Sequence, residues 1–157
     1  MASSAAIFDL AEAYRASALL LLQGSARGRP LARFPARYCA LHAIELYLNA
    51  WLRSCGHDPG DIRACLHNVA RMFDLASETG LVLRKKTRAD LRAMTGRRDY
   101  LLLRYDPEAS VLPVHVNRLI ATMEEVRTKV ALRIGAFPDD LPKDGAPTCC
   151  PVARDPC

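Results

Sequence analysis

Tyr38–Cys55 reads YCALHAIELYLNAWLRSC, and the side chains of this stretch decide the fold. At helical pitch Leu41, Ile44, Leu48, Trp51, Leu52 and Cys55 share one face, three and four residues apart. Ala43, Leu46, Tyr47 and Ala50 lie on the other side. A helix apolar nearly all the way round packs on more than one flank, so this segment belongs at the centre of a helical bundle. Glu45 breaks the stripe between Leu41 and Leu48. A carboxylate there requires a basic or donor partner from elsewhere in the chain, unless it sits at the stripe's edge and reaches solvent.

The flanking segments supply the partners for such a helix. Upstream, Phe8, Ala11, Tyr14, Ala18 and Leu22 recur at helical spacing, predicting a helix over Ala5–Leu22 that stops at Gly24. The intervening QGSARGRPLARFP is a loop carrying Arg27, Arg29 and Arg33, with Arg37 just beyond. Downstream, HDPGD offers Asp58 or Asp61 as an N-cap for a helix running to about Ser77, striped with Ile62, Cys65, Leu66, Val69, Phe73 and Ala76. His67 falls on its flank. Thr87 and Asp90 resemble a capping box opening a fourth helix, and Gly96 predicts a break before RRDYLLLRY. A last helix over Val114–Ile134 turns Leu119, Ile120, Met123, Val126, Val130 and Ile134 inward. The pattern predicts an all-α, up-and-down bundle of about five helices over residues 1–136, followed by a disordered, proline-rich tail over 137–157.

At 157 residues the chain holds one core, not two. No apolar run is long enough to cross a bilayer, and the N-terminus lacks a basic leader, so a cytoplasmic protein without membrane contact is expected. Cys39, Cys55 and Cys65 sit within helices as small hydrophobes, while Cys149, Cys150 and Cys157 lie in the tail. With no CxxC pair, no metal site is expected. Phosphate-binding glycine loops, HExxH and the serine elbow are all missing. No cofactor is implied.

A net charge of +5 points to acidic partners. Between Arg84 and Arg104 eight basic residues face two acidic ones, Asp90 and Asp99, so this run concentrates the surplus. On a continuous helix Arg97 and Arg104 share a face, and Arg98 lies on the side of Leu101 and Tyr105. Guanidinium forks suit phosphate oxygens or a buried carboxylate such as Glu45, and Tyr105 adds a stacking face.

The succession LHAIELYLNAWLRSCG, an HDP turn, LHNVARMFDLASETG, RRDYLLLRY and a closing helix resembles the HEPN domain, over roughly Ala5–Ile134. HEPN domains are α-helical bundles that usually dimerise, and many are metal-independent ribonucleases, nucleic-acid-binding proteins or toxin–antitoxin components. Their motif is an Arg followed after four to six residues by a His, often with a polar residue after the Arg and, in toxins, a Tyr two beyond the His. Arg98 matches the Arg, Asp99 the polar residue and Tyr105 the trailing Tyr. The His position falls on Leu103, beside Arg104, and neither side chain transfers protons near neutral pH.

The resemblance therefore implies a homodimeric binding module for RNA, a nucleotide or a protein partner, without efficient nuclease activity. Arg97, Arg98, Asp99, Arg104, Tyr105, Glu45 and His67 are the expected ligand-facing residues. Arg98, Arg104 and Tyr105 are the only catalytic candidates, and Glu45 is expected to orient an arginine. A nucleotidyltransferase-type antitoxin is the partner the family suggests. Two rivals stand beside this reading: a metal-independent endoribonuclease or toxin in which His42, His67 or His115 replaces the motif His, and a structural protein–protein interaction domain.

Overall fold

The computed structural model describes residues 2–25, 30–105 and 116–136. Its described residues are all helical or connecting. The elements are α1 (Ser4–Gly24), a 3-10 turn (Pro30–Arg33), α2 (Phe34–Ser54), α3 (Pro59–Arg63), α4 (Val69–Glu78), α5 (Lys85–Gly96), α6 (Asp99–Tyr105) and α7 (Val116–Ile134). Burial explains why α2 is the hub. Ile44, Tyr47, Leu48 and Leu52 are fully enclosed, and α2 touches α1, α3, α4, α6, α7 and the 3-10 turn. Each flank read as apolar in the sequence meets a different neighbour, which is the physical reason for an all-α bundle.

Chain-local chemistry sets the helix ends. Ser3 caps α1 by accepting from the Ala6 amide at 3.1 Å. At the end of α2, Gly56 takes φ +86°; its amide bonds the Arg53 carbonyl and that of His57 bonds the Leu52 carbonyl, both at 3.1 Å. This double closure needs a left-handed residue, so glycine is the residue that fits. Trp51 sends its indole N–H to the Thr79 hydroxyl at 2.9 Å, tying α2 to the end of α4.

The structure corrects the expected elements in three places. Seven α-helices are present among the described residues rather than about five, because two short ones, α3 and α6, stand where breaks were expected or missed. The predicted third helix is split into α3 and α4, since Leu66 (φ 48°) and His67 (φ 63°) leave the right-handed region. Asn68 then recaps the chain, its side chain accepting from the Arg71 amide at 2.9 Å. The Thr87–Asp90 capping box does not form. Thr87 lies inside α5 and donates instead to Glu125, while Asp90 accepts from Arg118 and Thr122.

Gly96 does end α5, and Arg98 turns the chain at φ 55° before α6. Its carbonyl accepts the amides of Leu101 (2.8 Å) and Leu102 (3.2 Å). The break means that Arg97 and Arg104 do not share one helix face. Val114, His115, Arg27, Arg29, the residues 106–115 and the tail with Cys149, Cys150 and Cys157 lie outside the described residues. No helix among the described residues is long and apolar enough to cross a membrane.

Candidate functional site

Tyr38, His42 and Glu45 follow one another at four- and three-residue spacing on α2, so they line one strip of that helix. The Glu45 carboxylate is partly buried and meets two imidazoles. His67 Nδ1 lies 2.8 Å from Oε1, and His42 Nδ1 lies 3.6 Å from Oε2. Burial pushes this carboxyl up, but the hydrogen bonds and charges of the two histidines outweigh it and hold the group below the usual carboxylate range. Both rings face Glu45 with Nδ1.

Aromatic rings extend the strip in both directions. His42 stacks on Tyr38 (centroids 6.1 Å, planes 6° apart) and takes the edge of Tyr14 from α1 at 4.5 Å. His67 lies against Tyr100 of α6 at 5.5 Å. The Arg104 guanidinium sits 5.8 Å from the centre of the Tyr38 ring and 5.2 Å from that of Tyr105. Tyr105 is 70% exposed, so the track runs from solvent at Tyr105, through Arg104, Tyr38 and His42, to Glu45, His67 and Tyr100. The left-handed backbone at His67 is what lets a residue between α3 and α4 reach α2.

The sequence-derived candidates divide into two groups. Glu45, His67, Arg104 and Tyr105 come together in this track. Arg97 and Asp99 instead pair with each other, Nε to Oδ1 at 3.0 Å and Nη2 to Oδ2 at 2.9 Å, with Asp99 buried. Arg98 is exposed at the turn and makes no side-chain bond or ion pair among the described residues. The expected arginine partner of Glu45 is corrected: histidines occupy that place. His42 is stacked on the same Tyr38 ring that Arg104 approaches.

Tyr38, Tyr100 and Tyr14 were not singled out from the sequence as ligand-facing residues. Tyr38–His42–Glu45 could have been found from its spacing on α2; Tyr14 and Tyr100 carried no such signal. Nearby, Arg37 is partly buried between charges: burial and Arg33 lower its pKa, and Asp99 opposes them. No group of three His, Cys, Asp or Glu residues that could hold a metal exists among the described residues. Burial raises the thiol pKa of both Cys39 and Cys65, as suits packed side chains.

These features define an all-α bundle with a histidine–carboxylate pair opening onto an arginine and tyrosines. No protein-family model matches the chain, and no curated protein or solved structure is similar to it at a significant level.

Proposed function

We propose that this chain is a HEPN-like binding module for single-stranded RNA, and that the RNA lies along the track from Tyr105 to Tyr100. The observation that carries the reading is Arg104 placed between the rings of Tyr38 and Tyr105. A fixed guanidinium suits a phosphate, and flanking rings suit unstacked bases, each stacked base contributing about 1–3 kcal/mol in single-strand binding. The basic residues 84–104 favour the same ligand class, although Arg84, Arg92 and Arg97 are engaged by Glu125, Asp74 and Asp99. Anisotropy of a labelled single-stranded RNA tests it. Binding should weaken steeply as salt rises and should fall with Arg104→Ala. No binding at low salt, or binding indifferent to Arg104, overturns the reading.

The His42–Glu45–His67 arrangement favours a second reading, metal-independent cleavage of the bound strand. An unprotonated imidazole would take the proton of a ribose 2′-hydroxyl as its oxygen attacks the adjacent phosphorus. The other imidazole, protonated, would give its proton to the departing 5′-oxygen, leaving a 2′,3′-cyclic phosphate and a 5′-hydroxyl. Glu45 would hold both rings, and Arg104 would offset the charge gathering on the phosphate. Incubation with RNA in EDTA decides between the two: cleavage lost in both His67→Ala and His42→Ala supports catalysis, and intact RNA leaves binding alone.

A further inference from the structure

The strip of α2 that carries Tyr38, His42 and Glu45 continues through Asn49 to Arg53, one helical turn at a time. At this end it borders a cavity of about 270 Å³, whose walls also include Ile7 of α1 and Pro59, Ile62 and Arg63 of α3. Local sequence builds the cavity. Gly56 turns the chain off α2 at φ +86°, and the Asp58 carboxylate, accepting from the Gly60 amide at 2.6 Å, starts α3 at once. The short α3 is thereby laid against α2, and it brings Arg63 to the cavity that Arg53 borders. None of these residues belongs to the track from Tyr105 to Tyr100.

The polar side chains of this cavity offer unmatched donors. Arg53 engages only Nη1, which donates to the His57 carbonyl at 3.0 Å. Arg63 and the half-buried Asn49 carboxamide make no side-chain hydrogen bond or ion pair among the described residues. The acids nearest in sequence, Asp58 and Asp61, pair with neither arginine, and Asp58 is held as the cap of α3. Elsewhere in the bundle Arg84, Arg92, Arg97, Arg118 and Arg127 each sit on a carboxylate. Here two cations border one cavity with no counter-charge, an arrangement that repels itself and that a bound anion relieves.

We propose that this cavity binds a small organic oxyanion, a carboxylate or phosphate carried on a compact apolar body. The guanidinium forks of Arg53 and Arg63 hold the oxyanion through charge-assisted hydrogen bonds, and the Asn49 amide donates to it. Ile7, Pro59 and Ile62 form the wall on which the apolar body packs. A cavity of about 150 Å³ accommodates benzene, so the larger volume here admits a single ring together with its charged group. The same wall discriminates against bare inorganic anions, which have no apolar group to place on it. Because the cavity shares no residue with the ligand track, anion binding here and RNA binding there succeed or fail separately.

NMR titration of the isotope-labelled full chain with benzoate, phenyl phosphate and inorganic phosphate tests the assignment. An organic probe should shift the Asn49 side-chain amide signals saturably, with a Kd of about 1 mM or tighter, and the tighter of the two identifies the oxyanion. Inorganic phosphate should bind at least about tenfold more weakly than that probe. Arg63→Ala, at an exposed position with no internal bond to lose, should weaken the organic probe by at least about tenfold. Asn49→Asp places a carboxylate of the same shape in the cavity. It should abolish probe binding and raise the melting temperature of the ligand-free chain by a few degrees, because it neutralises the two arginines. No saturable shift with either organic probe overturns the proposal, and so does binding indifferent to Arg63→Ala. An Asn49→Asp chain no more stable than wild type overturns the uncompensated pair of cations. Inorganic phosphate binding as tightly as the organic probes overturns the role of the apolar wall.

Discussion

His67 reaches Glu45 across 22 residues of sequence, Nδ1 to Oε1 at 2.8 Å, and this one bond joins the α3–α4 turn to the central helix. Glu45→Gln removes the charge that holds both imidazoles while keeping the shape. His67 is half-exposed, so screening limits the loss, and a destabilisation of about 1 kcal/mol is expected near neutral pH. The folded carboxyl lies below its ordinary value. Its stabilisation is thus present above the unfolded glutamate range and disappears as pH falls through the lowered folded value. Chemical denaturation at several pH values checks this: the gap between wild type and Glu45→Gln should close on acidification and not widen.

Glu125 of α7 performs the capping that the Thr87–Asp90 pattern suggested α5 would do for itself. Its carboxylate accepts the Arg84 amide at 2.6 Å, the Arg84 Nε at 2.7 Å and the Thr87 hydroxyl at 2.5 Å. Burial raises this carboxyl, but those three donors together pull it below its usual range. Glu125→Ala strips the first turn of α5 of its acceptor and leaves the buried Thr87 hydroxyl unsatisfied, a loss of about 2 kcal/mol. The linkage has the same sign as for Glu45, with the contribution fading as pH drops below the glutamate range. The difference between the thermal melts of Glu125→Ala and wild type should narrow in acid.

Glu12 on α1 is shared by two buried groups, the Tyr47 hydroxyl and Arg127 Nε at 2.8 Å. Burial, reinforced by the Glu12 carboxylate, raises the Tyr47 pKa far above the ordinary phenol value, so Tyr47 acts as a permanent donor. Glu12→Gln weakens the partner of a guanidinium that is almost wholly enclosed, and a cost of about 2 kcal/mol follows. Tyr47→Phe should cost about 1 kcal/mol alone. The double variant should be less destabilised than the sum, because the two substitutions act on one carboxylate. Additive losses in urea titrations would contradict the shared role.

Much of the fold was legible because burial obeys helical periodicity. The stripes of α2 and α7 name side chains that are in fact enclosed, from Leu41 to Leu52 and, on α7, Leu119, Met123, Val126 and Val130, with Ile120 half-buried. Gly24 and Gly96 marked real helix ends. The candidate site was legible only in part. Tyr38, His42 and Glu45 share α2, so their adjacency follows from spacing. His67 joins them through a left-handed turn, which no apolar pattern records, and the same turn hid the division of α3 from α4. Arg97 drew attention by charge alone, whereas its nearest acid, Asp99, takes up that charge two residues away. A capping box written in local sequence lost to Glu125, because a carboxylate delivered from α7 satisfies the amide and the hydroxyl together.

Leu66 and His67 share the left-handed turn that delivers the imidazole, at φ 48° and 63°. For a residue with a γ-branched apolar side chain that conformation costs about 1–2 kcal/mol, and asparagine and glycine tolerate it better. Leu66 is 75% exposed, so little packing is lost when it is replaced. Leu66→Asn should therefore stabilise the protein by about 0.5–1 kcal/mol while leaving His67 on Glu45. Asn68→Ala acts in the opposite direction: it removes the cap on α4, at about 1 kcal/mol, and loosens the same turn. Melting temperatures report the stability changes, and His67 side-chain NMR shifts report whether the ring stays on the carboxylate. If Leu66→Asn lowers stability, the turn is not strained at Leu66; if Asn68→Ala leaves both readouts unchanged, the Asn68 cap does not set the position of His67.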